Sequence, residues 1–200
     1  MDRQATQVTK WVTLASVLIL IGFVLPWLKP GMINPATRQP LPPRFGWTQT
    51  IAWLALLDAI LLAVLPRLDV VGKQIFGRDA IGAALGALCV YIGLIGVSGT
   101  GASAGLWWPA FLVSLGLVGT GLAPEEAVPA QARLYINLVG MAVVVGLLAA
   151  IAMKAFTIGQ MPIVVGGFVA YLVNVARAKE HYPEFRRLRE EEAQRSGPGI

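Results

Sequence analysis

Long apolar runs separated by short polar ones set the pattern of this chain. Six segments reach or approach the roughly 20 residues that a helix needs to cross a bilayer: 11–28, 48–65, 80–97, 104–123, 134–153 and 156–176. Each run is continuously apolar, whereas strands of a membrane barrel would alternate at every second residue. The pattern therefore predicts an all-α integral membrane protein of six transmembrane helices. The connections are mostly short, and Ser98 to Ser103 is very short, so consecutive spans pair as three antiparallel hairpins. Residues 1–176 form the bundle, and 177–200 form a hydrophilic tail.

Two stretches break the pattern. Gly159, Gln160 and Pro162 interrupt the start of the sixth span, leaving 161–176 as its solid part. This reads as a late helix start, with the broken helix of a transporter site as the alternative. In the tail, Pro183 is suited to open a short solvated helix, with Arg186–Glu190 and Arg187–Glu191 at i,i+4 spacing.

Composition agrees with a membrane reading. The 200 residues are 56% hydrophobic and 14% charged, against about 25% charged in soluble domains. The charges also orient the bundle. Arg3, Lys10, Arg67, Lys73, Arg78, Arg133, Arg177, Lys179, Arg186, Arg187, Arg189 and Arg195 fall on one side. Only Lys29, Arg38, Arg44 and Lys154 fall on the other. Positive charge stays inside, so both termini are expected in the cytoplasm. Trp27, Trp47, Trp107 and Trp108 then sit at the outer boundary, Trp11 at the inner one and Trp53 somewhat deeper, as an aromatic belt requires. The first run lacks a good cleavage site and reads as a retained signal-anchor. The net charge of +5 follows from this topology and from attraction to anionic lipid. No basic fold surrounds it, so nucleic acid is not an expected partner.

The first outer loop, Lys29 to Trp47, carries Pro30, Pro35, Pro40, Pro42 and Pro43. It reads as a stiff connector, with docking of an extracytoplasmic partner as the sharper alternative. Glycines recur inside the spans, and Gly82 and Gly86 form a small-xxx-small pair. Lipid gives helices no hydrophobic reason to associate, so close backbone approach must do it. Packing within one chain is the expected use, rather than a dimer seam.

One residue in the spans needs more than packing to justify it. Asp58 sits mid-span, where a carboxylate costs about 2.5–3.5 kcal/mol on insertion scales. It must be neutralised, hydrogen-bonded or watered. No Lys, Arg or His lies deep in another span, so the candidate partners are the polar residues Tyr91, Ser114, Asn137 and Asn174. The functional reading of Asp58 is an ion or proton relay. The other is a structural acid bonded to a neighbouring helix.

Other chemistry is sparse. The single Cys89 excludes an intrachain disulfide and suggests no metal site. Gly96-Val97-Ser98-Gly99 resembles the nucleophile motif of rhomboid intramembrane proteases, but that chemistry needs a histidine base. The one histidine, His181, lies in the polar tail. A bis-histidine haem is excluded, and no acidic pair or phosphate loop appears, so neither a catalytic residue nor a cofactor is expected. Gly22-Phe23-Val24-Leu25-Pro26-Trp27, with Gly46-Trp47 opening the next span, resembles small uncharacterised bacterial multispanning proteins. The resemblance covers the first third of the chain and implies a prokaryotic plasma-membrane location but no activity. The expected role is a non-catalytic accessory or scaffold subunit, with membrane lipid and other membrane subunits as partners. The alternative is a small transporter or channel using Asp58.

Overall fold

The computed structural model describes residues 2–27, 33–34, 36–40, 45–95, 112, 114–117, 131, 134–135, 137–140, 142 and 158–195. Among them the regular structure is helical, with no β-strand. Four long helices are defined: α1 (Asp2–Val24), α2 (Thr50–Val64), α3 (Lys73–Ile95) and α4 (Gln160–Arg195). All four are long and apolar enough to cross a membrane. The predicted fourth and fifth spans, 104–123 and 134–153, lie mostly outside the described residues.

Proline and glycine set the helix ends. α1 stops before Leu25-Pro26, since a proline disfavours helical backbone in the residue before it. α2 runs into a 3-10 turn, Leu65–Arg67, that holds Pro66. Gly72, at φ 64°, makes the left-handed turn into α3 that a side chain would resist. α4 begins directly after Gly159 and carries Pro162 in its first turn, where the missing amide hydrogen would have had no partner in the helix. The interruption at 159–162 is thus a helix start, with α4 opening at Gln160; residues 156 and 157 lie outside the described residues.

Burial runs opposite to that of a soluble protein. On α2 the buried stripe is Ala52, Ala55, Asp58, Ala59 and Leu62. Its exposed face carries Trp53, Leu54, Leu57, Ile60, Leu61 and Val64. On α1, Val12, Ala15, Ser16 and Ile19 are buried while Trp11, Leu14, Val17 and Val24 are exposed. Small residues inside and large apolar ones outside suit helices that pack by close approach in lipid.

α4 is the centre of the packing. A Cβ built on Gly166 would lie 2.7 Å from the Ala15 carbonyl oxygen of α1. One built on Gly167 would lie 2.7 Å from the Gly86 carbonyl oxygen of α3. Adjacent glycines therefore let two different helices approach. Along α3, Gly93 meets Val164, Gly86 meets Gly167 and Tyr171, and Gly82 meets Asn174, so α3 and α4 are antiparallel. Gly82 and Gly86 face a helix of their own chain. Leu117 and Gly140, from the partly described region, close on Phe168 of α4.

The same contacts sort the helix ends. At the Trp27 end, α1 and α3 finish while α2 and α4 begin. The Gly46 amide donates to the Leu25 carbonyl, and the Gly159 amide to the Pro26 carbonyl. Trp27 is buried there, its indole N–H on the Gly22 carbonyl at 2.9 Å. It lies against Gly159, whereas Trp47 and Trp53 are exposed. In the proline-rich loop, Asn34 and Gln39 exchange a backbone bond around a tight turn with Arg38 at φ 53°.

The far end departs most from the sequence expectation. The tail does not begin a separate helix at Pro183. α4 runs through it as one helix of 36 residues, roughly 54 Å long at 1.5 Å per residue. A hydrocarbon core is about 30 Å thick, so α4 is longer than one crossing requires.

Candidate functional site

Two clusters of buried polar groups stand out, one within the bundle and one at the end opposite Trp27.

The first contains Asp58. Its place on the buried stripe of α2 turns it toward α3, and its exposure is 3%. The donor that reaches it is Cys89, whose thiol lies 3.6 Å from Oδ2. Cys89 is itself fully buried, on the α3 face that approaches Gly167. A thiol is a weak donor, so this contact offsets only part of the cost of burying a carboxylate. Among the described residues no cation pairs with Asp58.

Of the four predicted partners, Asn174 makes its bond within its own helix. Asn174 is buried on α4 and donates to the Ala170 carbonyl one turn back, at 2.8 Å. Its side chain lies against Gly82. Tyr91 is half-buried on α3, Asn137 is half-buried in the 137–140 stretch, and Ser114 is buried. Ser114 Oγ has no hydrogen-bond partner among the described residues. Cys89 was legible in the sequence only as a lone thiol.

The second cluster was not legible as a site at all. Asp79, in the second turn of α3, has 0% exposure. Its Oδ1 lies 3.4 Å from Arg78 Nε and 3.4 Å from Arg177 Nη1, and its Oδ2 lies 2.9 Å from His181 Nδ1. Arg177 and His181 are one turn apart on α4 and so present to the same side. Arg78 also donates from Nη1 to the Leu68 carbonyl at 3.3 Å. The side chains of Arg78 and Arg177 are only 12% and 15% exposed. Composition counted these two arginines as topology charges and His181 as a solvated tail residue. The one available signal was the i,i+4 spacing of Arg177 and His181, which puts two donors on one face with an acid needed opposite.

Chemically, this second cluster is an electrostatic knot. A buried carboxylate with both oxygens occupied ties α3 to α4. Two guanidinium groups surround one acid, so the cluster keeps a positive excess. Past it, Phe76 of α3 stacks on Phe185 of α4 with centroids 4.5 Å apart. Lys73 pairs with Glu192. Among the described residues no group of His, Cys, Asp and Glu is arranged to hold a metal ion.

No protein-family model, curated protein or solved structure matches this chain.

Proposed function

We propose that the chain is a non-catalytic accessory or scaffold subunit of a larger membrane protein complex. It sits in a prokaryotic plasma membrane as six transmembrane helices with both termini cytoplasmic. The observation that carries the reading is α4: one helix of 36 residues, packed against α1 and α3 and tied to the bundle at Asp79, whose charged last turns run alongside the start of α3. A charged helix fixed to a membrane body is a means of holding another protein at a set place and angle.

Two further points support the arrangement. α3 ends and α4 begins at the Trp27 end, so residues 96–159 leave and return on the same side. Two more crossings satisfy that condition. The Asp79 end, with Lys73, Arg78, Arg177 and the arginines in the last turns of α4, is the basic end and so the cytoplasmic one under the positive-inside rule.

The relay reading of Asp58 has the weaker claim. A relay needs successive polar stations, and the neighbour that reaches Asp58 is a buried thiol. The two readings separate experimentally. Purified in mild detergent from its native membrane, the chain should bring a stoichiometric membrane partner identifiable by mass spectrometry. Charge reversal of Arg186, Arg187 and Arg189 to Glu should release that partner. Recovery of the native chain alone, folded and monodisperse, would overturn the accessory role. If Asp58→Asn instead abolishes a proton or cation flux of the protein in liposomes, the transporter reading replaces it.

A further inference from the structure

We propose that residues 184–195 form a hinged arm, with Pro183 as its joint and Phe76 of α3 as the clasp that holds it docked. The inference concerns a motion within the chain and stands independently of the accessory role.

The argument starts from how differently the two sides of Pro183 are held. On the bundle side, α4 is buried at every turn, through Ile163, Gly167, Ala170, Tyr171, Asn174 and Ala178. The last fixed point is His181, bound to the fully buried Asp79 at 2.9 Å. Pro183 follows two residues later. It has no amide hydrogen to give to the carbonyl one turn back, and its ring crowds that carbonyl. Inside a helix this is the weakest place to bend. Proline is also favoured at the first position of a helix, so residues 184–195 remain helical when the joint opens. Arg186–Glu190 and Arg187–Glu191, at 2.9 and 3.3 Å, hold the arm together from within.

Beyond the joint the attachments described lie near the surface. Phe185 stacks on Phe76 with the rings 23° from parallel. Leu188 lies over Gly72, its Cδ1 3.3 Å from where a Cβ there would stand. Glu192 pairs with Lys73, and its carboxylate is 69% exposed. The hydrogen bond and the charge of Lys73 hold the Glu192 carboxyl below the usual glutamate range, which registers the pairing. An exposed ion pair contributes little and is screened by salt. Among the described residues no side chain of α4 past Leu188 is buried. The docked position therefore rests on contacts near the surface, among them the Phe76–Phe185 stack, Leu188 over Gly72 and the Lys73–Glu192 pair, set against a helix that is already bent-prone at its root.

The test uses the full chain in lipid nanodiscs, with Cys89→Ser removing the native thiol. Spin labels are placed at Gln74→Cys on α3 and Gln194→Cys on the arm, both exposed positions. Pulsed electron resonance should show two distances, the shorter one from the docked arm. Phe185→Ala removes the stack without touching the bundle, and should raise the ratio of long to short distances by about fivefold. Pro183→Ala should remove most of the long component. A single short distance, unchanged in both variants, would overturn the proposal because the arm would be rigid. A broad distribution in the parent protein would overturn it equally, since the arm would then have no docked state.

Discussion

Replacing Gly86 by alanine puts a methyl group where two backbones already meet. A Cβ there would stand 2.5 Å from the Tyr171 amide nitrogen, 2.7 Å from the Gly167 carbonyl oxygen and 2.9 Å from the Tyr171 Cα. Ordinary contact lies near 3.5–4.0 Å, so α3 and α4 must part locally by about 1 Å. Neither neighbour is the tip of a flexible side chain, so the strain cannot be relieved by a rotamer change. Overpacking of this kind costs about 1–3 kcal/mol. The same substitution gains about 0.5–1 kcal/mol because alanine favours a helix interior over glycine. Gly77, on the same helix, has nothing within 4 Å of its would-be Cβ. Gly77→Ala therefore keeps the gain without the clash. Comparing the two variants cancels the helix-propensity effect and leaves the steric one, a difference of about 1–3 kcal/mol. Unfolding in mixed micelles by titration with sodium dodecyl sulfate, followed by circular dichroism, measures it. Gly86→Ala should unfold at lower detergent fraction than the native protein and Gly77→Ala at equal or higher. Equal shifts in the two variants would refute the close approach of α3 and α4.

Two other experiments test the buried clusters. Asp79→Ala leaves Arg78 and Arg177 without the buried acid between them and should destabilise the chain by about 3–5 kcal/mol, with trypsin cutting first at Arg177 or Lys179. Adding Arg177→Met should restore part of that loss, and no recovery would mean that charge pairing is not what Asp79 supplies. Cys89, with no exposure, should resist maleimide in the folded bundle and react on unfolding; labelling at the rate of an exposed cysteine would contradict its place against Asp58.

Some of this was readable in the chain itself, because helix geometry converts spacing into direction. Ala52, Ala55, Ala59 and Leu62 recur at three- and four-residue intervals, which turns them to one face. The surrounding leucines fall on the other. The glycines of 82, 86 and 167 likewise announced close packing without naming the partner. Pro26, Pro66 and Gly72 marked helix ends through local backbone sterics, which need no knowledge of the rest of the molecule. Asp58 was recognisable because a carboxylate amid leucines is costly wherever the helix lies.

Tertiary structure decided the pairings. Asp79 and His181 lie 102 residues apart in sequence, and nothing in the local pattern of either says that they meet. Whether a charge near a helix end is solvated or buried depends on which helix crosses it, and α4 happens to continue past that crossing. The same holds for Pro183. Read locally it is a good helix start, yet α4 runs through it, with Phe76, Gly72 and Lys73 in contact with the residues beyond. Cys89 became the neighbour of Asp58 for a related reason: α4 brings Gly167 close to α3 and fixes which face of α3 turns inward. Hydropathy and periodicity, being properties of neighbours along the chain, determined the described helices and their exposed apolar sides. The burial of Asp79 and the single long α4 are properties of neighbours in space, and they exist only once the helices have packed.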